Sequence, residues 1–195
     1  MPGTVTGSRE GQDCFVSRLL GGRVFVDIGC SHGLFCNNTW MLEQAGWRGW
    51  LFDRKPEAVE QCRRTRRAPA FQVDAASFDF RRFLQEQCCP KIIDYISFDV
   101  DSATAAAVRN FPFEEYGFLV MTIEHDLYRG PAAKQAIVER LAPFGEYCVI
   151  GENMEAAPGK PFEDWIVNTR YFPPHILEQK RSHALWWEFL DSFQF

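Results

Sequence analysis

The chain predicts an α/β domain: a mostly parallel sheet with helices on both faces. Three observations predict it. Val24-Phe25-Val26-Asp27-Ile28 runs into a turn holding Gly29 and Gly33, the strand–glycine turn that opens a nucleotide-binding α/β unit. Beyond it, strand-like and helix-like segments alternate with short connections, as βαβ units require. The chain has 195 residues, 46% of them apolar, which suits a single domain spanning 1–195 with a sizeable core.

Each element has its own signal. Residues 1–8 are rich in Gly, Ser and Thr, and 10–20 read as a short covering helix, so 1–20 form an N-terminal cover. Runs of β-branched and aromatic residues place strands at 24–28, 49–53, 70–73, 93–99, 117–123 and 145–150. Helical segments fall at 34–45, 56–64, 79–87, 103–110 and 132–141, with Pro56 and Pro131 at helix starts, where a missing N–H costs little. The tail carries Pro158, Pro161, Pro173 and Pro174; 151–180 reads as an acceptor-binding or lid segment, with Phe162, Trp165, Glu152 and Asn153 as its candidate contacts. The aromatic run 184–190 reads as a seventh strand, with a helix as the alternative. Trp40, Trp47 and Trp50 read as helix–sheet packing.

Composition excludes several classes. A net charge of −5 speaks against a general nucleic-acid binder. The dense basic run Arg63–Arg67 reads as a solvated helix end, and because it precedes a strand it falls on the rim opposite the ligand site. Seven cysteines without a CxxC pair fit a reducing compartment. The N-terminus lacks a signal-peptide pattern and no apolar run spans a bilayer, so the expectation is a cytoplasmic protein without membrane or nucleic-acid partners. Oligomeric state is open.

In a parallel sheet, ligands bind at the carboxyl ends of the strands. Here an acid follows nearly every strand: Asp27, Asp53, Asp74, then Asp99 and Asp101, then Glu124-His125-Asp126. Such a rim suits a ligand that is cationic or rich in hydroxyl and amino donors. Asp53, at the end of the second strand, is placed to accept from ribose hydroxyls. The turn Asp27-Ile28-Gly29-x-x-x-Gly33 departs from the G-x-G-x-x-G spacing that cradles a pyrophosphate, and Asp27 adds a negative charge there. That favours S-adenosyl-L-methionine, with its ammonium and sulfonium, over a nicotinamide dinucleotide.

The order D-I-G-x-x-x-G, strand-two acid, Ile93-Asp94-Tyr95-Ile96-Ser97-Phe98-Asp99-Val100-Asp101-Ser102, Met121-Thr122-Ile123-Glu124-His125-Asp126 and Phe162-Glu163-Asp164-Trp165 resembles the FkbM-type S-adenosylmethionine-dependent methyltransferases over about 22–167. The resemblance implies a Rossmann-like class I methyltransferase fold with a mostly parallel seven-stranded sheet. It implies methyl transfer to a hydroxyl of a sugar, glycan or other small molecule. One departure stands out: the family's Asp-Val-Glu-Gly is Asp99-Val100-Asp101-Ser102 here, which shortens one acid and loses a glycine.

The expected cofactor-binding residues are Asp27, Gly29, His32, Gly33, Asp53, Asp74, Ala75 and Asp99. Asp27 would hold the methionine amino end, His32 the methionine carboxylate, and Asp74 or Ala75 the adenine. His125 is the candidate base, since its ordinary pKa lies near neutrality, with Asp99 and Glu124 orienting it or the acceptor. A divalent metal on Asp99, Asp101 and His125 is the weaker alternative. Two rivals stay open: a non-catalytic cofactor- or partner-binding protein on the same fold, and an NAD(P)-linked oxidoreductase, disfavoured by the glycine spacing and the absence of a Tyr-x-x-x-Lys pair.

Overall fold

The computed structural model describes residues 7–195. Its strands are β1 (Val24–Ile28), β2 (Arg48–Asp53), β3 (Ala70–Gln72), β4 (Ile92–Phe98), β5 (Gly117–Glu124), β6 (Tyr147–Glu155), β7 (Pro161–Asn168) and β8 (Arg181–Ser182). Its α-helices are α1 (Gln12–Leu19), α2 (Trp40–Gln44), α3 (Pro56–Thr65), α4 (Phe80–Glu86), α5 (Thr104–Asn110), α6 (Ala132–Leu141), α7 (Pro174–Leu177) and α8 (Trp186–Ser192). They form one sheet of order β3-β2-β1-β4-β5-β7-β6-β8. Only β7 is antiparallel to its neighbours, β5 and β6. Strand order reverses between β1 and β4, which opens a crevice at their carboxyl ends.

Two aromatic-rich cores cover the sheet. On one face Phe15 of α1 stacks on Trp165 of β7 at 4.5 Å between ring centres, with Phe189 of α8 edge-on to both. On the other, Phe52, Phe80, Phe98 and Phe111 interlock through α4 and α5. The phenylalanines are therefore largely core, and burying each fully is worth about 1.5–3 kcal/mol.

Four expectations are corrected. The sheet has eight strands, not seven. Residues 184–190 are not a strand; Trp186, Phe189, Leu190 and Phe193 recur at helical spacing, and the last three are buried on one side of α8. The 151–180 segment is not a lid throughout: 161–168 is an interior strand, with Trp165 at 0% exposure. Finally, no helix runs over 34–45, and α2 begins only at Trp40.

The last correction has a clear cause. Arg66, expected in solvent, is buried beneath the loop after β1. Its Nε meets Glu43 Oε2 at 2.7 Å, with both side chains almost fully buried. Its remaining nitrogens donate to the Gly33 carbonyl (2.9 Å), Asn37 Oδ1 (2.9 Å) and Thr39 Oγ1 (3.0 Å). Asn37 Nδ2 also donates to Asp27 Oδ2 (3.1 Å) and to the Cys30 carbonyl (2.8 Å). Side chains that occupy backbone groups in this way compete with helix formation. Burial works against the Glu43 carboxylate, but the Arg67 N–H and the Arg66 guanidinium outweigh it and hold its pKa below the ordinary range.

Arg66→Met would leave the buried Glu43 with only the largely exposed Arg67, 3.5 Å away, as a charge partner, and urea denaturation is expected to show a loss of about 3–5 kcal/mol. A loss under about 1 kcal/mol would show that the ion pair does not hold this loop.

Candidate functional site

A cavity of about 660 Å³ opens at the carboxyl rim, between β1–β5 on one side and α1, the start of β7 and α8 on the other. Gly29, Asp53, Asp74, Ala75, Asp99 and Glu124 line it, all of them expected. Gly29 is needed for a backbone reason: its φ is +102°, and a Cβ there would stand 1.8 Å from the Asp99 carbonyl oxygen. Its N–H and that of Cys30 both donate to the Phe52 carbonyl, at 2.8 and 3.1 Å, which pins the turn to the end of β2. Asp53 Oδ2 accepts from the Ser31 N–H and Oδ1 from the Lys55 N–H, both at 2.9 Å. Each oxygen keeps a second lone pair for a ligand. Asp74 Oδ1 accepts from the Ala76 N–H at 3.0 Å, fixing the turn that presents Ala75.

Four expected residues stand elsewhere. Asp27 is 1% exposed and off the cavity wall. Thr39 Oγ1 donates to it at 2.7 Å, and burial raises its pKa despite Thr39, Arg66 and Asn37. It holds the loop, through Asn37 and Thr39. Gly33 faces α3, where a Cβ would meet Cys62 Sγ at 2.8 Å. His32 is exposed, with Nδ1 3.2 Å from Gln61 Oε1. His125, the expected base, is 3% exposed and does not line the cavity. Its Nδ1 accepts the Leu127 N–H at 3.2 Å, so Nε2 is left to donate to Asp164 Oδ1, also at 3.2 Å. Both ring nitrogens are committed. Asp164 also takes Lys134 Nζ and the Asn153 N–H, so His125 belongs to a buried hub that anchors the segment after β5.

The cavity wall instead brings Asp99 and Glu124 close enough to interact strongly, and Glu124 Oε2 accepts the Asp101 N–H at 3.2 Å. Burial raises Asp99 to about 7, with the Glu163, Asp27 and Asp101 charges adding to it and the interaction with Glu124 opposing. Burial and the neighbouring Asp99 raise Glu124 to about 9. Near neutral pH the two carboxyls hold between one and two protons, as closely placed acids do. The expected metal set of Asp99, Asp101 and His125 does not assemble. The acids that converge are Asp101, Glu124 and Asp126, with oxygens within 4.8 Å, and Arg129 already lies 2.7 Å from Asp126. The left-handed residue here is Asp101 (φ 49°), not Ser102, which falls in the 3-10 turn Asp101–Ala103. The glycine missing from position 102 is therefore not needed there.

Several lining residues carried no sequence signal that the parallel-strand rule could use. Glu163 and Phe162 start an antiparallel strand, so their amino-terminal end reaches the same rim. Glu10 and Gln12 belong to the covering segment, and Trp186 to α8. Burial, only partly offset by Arg9, raises Glu10 to about 7. Glu163, 2% exposed, is raised well above the carboxylate range by burial.

No protein-family model matches the chain, and no curated protein sequence matches it. Among solved structures it is similar to a TehB-like S-adenosylmethionine-dependent methyltransferase from Corynebacterium glutamicum: 14% identity, TM-score 0.56, covering 81% of this chain and 86% of that one. It is similar to the StiE O-MT region, at 13% identity and TM-score 0.53, covering 87% and 79%. It is also similar to an rRNA methylase from Streptococcus thermophilus, at 10% identity and TM-score 0.53, covering 85% and 98%. The chain therefore has the Rossmann-like class I methyltransferase fold. No helix among the described residues is long and apolar enough to cross a membrane.

The raised carboxyls set a pH dependence. Each binds its proton more tightly folded than unfolded, so its contribution to stability is present at low pH and lost as pH rises through its folded pKa. The ligand-free protein is expected to lose melting temperature between about pH 5 and pH 9, with a flatter profile in Glu124→Gln. A melting temperature that rises across that window would contradict the buried, protonated acids.

Proposed function

We propose that this chain is an S-adenosylmethionine-dependent methyltransferase of FkbM type that methylates a hydroxyl of a sugar or other small molecule. The observation that carries the reading is a cavity at the switch point of this fold lined by Asp53 and by the neighbouring acids Asp99 and Glu124. The donor set fits the cofactor. Carboxylates and the backbone of an open glycine turn face the cavity, where an ammonium, a sulfonium and ribose hydroxyls need acceptors. Asp53 would take the ribose hydroxyls, Asp74 and Ala75 would meet the adenine, and Asp99, beside Gly29, the methionine end. The FkbM resemblance of strands four and five and the likeness to the StiE O-MT region support transfer to oxygen.

The cofactor supplies an electrophilic methyl group on a sulfonium. The protein's work is to hold an acceptor oxygen behind that methyl and to take its proton. The Asp99–Glu124 pair, once it has lost one proton, is an anion at the cavity wall and accepts the hydroxyl proton. Such a base is worth about 10²–10⁴-fold. His125 and Asp164 position the pair by fixing the backbone after Glu124.

Methyl transfer is expected to rise with pH through about 7 as the pair loses its first proton. Glu124→Gln is expected to lower kcat about 100-fold or more while S-adenosylhomocysteine affinity stays within a few-fold. His125→Ala is expected to cost less in kcat than Glu124→Gln. Unchanged turnover in Glu124→Gln, measured with radiolabelled methyl donor, would remove the pair as base.

A further inference from the structure

The side of the cavity closed by α1, the start of β7 and α8, next to Glu124, has a composition that methyl transfer to a neutral hydroxyl does not require. Glu163 is 2% exposed, lines the cavity and has only neutral donors as partners: Gln12 Nε2 at 3.1 Å and Trp165 Nε1. Among the described residues it forms no ion pair. Burying a carboxyl without a counter-ion is costly, so such a group either stays protonated or awaits a cation. Gln12 links it to the covering segment, because its Oε1 accepts the Glu10 N–H at 3.2 Å. Glu10 adds a second carboxyl, whose Arg9 partner is largely in solvent, at 76% side-chain exposure. Lys160 at the rim is exposed too. The rings of Trp186 and Phe162 complete this side. Buried acid beside aromatic faces is the chemistry that receives an alkylammonium. The residues assigned above to the cofactor lie at the ends of β1–β4, whereas Glu163 and Phe162 lie on β7, Trp186 on α8 and Glu10 just before α1, so they face the cavity from its other side.

We propose that the acceptor carries a cationic amino group near its reacting hydroxyl, as amino sugars and amino alcohols do, and that Glu163 and Glu10 receive it against the Trp186 ring. This rests on the methyl-transfer reading. In the reaction the acceptor oxygen forms the new C–O bond, the C–S bond breaks with its electron pair left on sulfur, and the hydroxyl proton passes to Asp99–Glu124. The ammonium stays intact and serves as a handle.

The test uses the full chain with D-glucosamine, D-galactosamine and 3-amino-1,2-propanediol, each beside its N-acetyl derivative. S-adenosylhomocysteine binding is measured first by calorimetry; its absence overturns the methyl-transfer reading itself and this inference with it. With binding present, at least one free amine is expected to be methylated on oxygen with kcat/KM about tenfold or more above its acetylated partner. Addition of that amine to protein saturated with S-adenosylhomocysteine is expected to release protons near pH 7, read from the dependence of the heat on the buffer. Glu163→Gln, checked for an unchanged melting transition, is expected to raise KM for the amine about tenfold and leave cofactor affinity unchanged. Glu10→Gln gives a second, more exposed variant with the same direction of effect. Equal use of acetylated and free forms, use of none of the free amines, or a methyl group found on nitrogen would overturn the proposal and leave the cofactor reading standing.

Discussion

The buried Arg66 guanidinium is the interaction on which the site depends. A turn between a strand and a helix usually winds straight into the helix. Here the chain after Gly29 travels ten residues before α2 starts, and it does so around one cation. Arg66 neutralises Glu43 and supplies donors to Gly33, Asn37 and Thr39, while Asn37 and Thr39 close on Asp27. Every member of the set satisfies another, which is the condition under which a buried polar network is tolerated. The result is an open loop that leaves Gly29 and Ser31 free to line the cavity. Asp27 builds the turn from beneath, while Asp53 and Asp99 are among the carboxylates that line the cavity.

A second constraint is the reversed strand. With β7 antiparallel between β5 and β6, Glu163 sits in register with Glu124 at the same rim. Two acids from opposite chain directions thus meet over a cavity that α1 and α8 close from one side. Burial then raises their pKa values together, and the wall becomes a store of protons at neutral pH. In the proposed reaction Asp99, raised only to about 7, would let the Asp99–Glu124 pair exchange a proton with the acceptor hydroxyl.

Much of the fold was legible because it rests on local signals. Val24–Ile28, Ile92–Phe98 and Gly117–Glu124 are apolar runs that only a buried parallel sheet explains, and Pro56 marks the start of α3. Half of the site followed from the same rule, since Gly29, Asp53, Asp74, Asp99 and Glu124 end or follow parallel strands. The rest depended on partners far away in sequence. Nothing local distinguishes Arg66 from the solvated arginines beside it, because its acid is 23 residues upstream. His125 looked catalytic by type and position, but Asp164, 39 residues on, claims its ring. Glu163 falls in the 151–180 stretch that reads as an acceptor-binding or lid segment, and only its pairing in β7 opposite Glu124 places it in the wall. The aromatics of 184–190 fit a strand by composition and a helix by spacing, and burial of Phe189, Leu190 and Phe193 decided between them.

On the proposed reading this acid-lined cavity takes S-adenosylmethionine with Asp53 on its ribose. The decisive measurement is calorimetric titration with S-adenosylhomocysteine and with NADH, on the wild-type chain and on Asp53→Ala. The prediction is saturable one-to-one binding of S-adenosylhomocysteine, weakened about tenfold or more in Asp53→Ala, and no binding of NADH. Binding of NADH in preference, or an S-adenosylhomocysteine affinity that Asp53→Ala leaves unchanged, would contradict it.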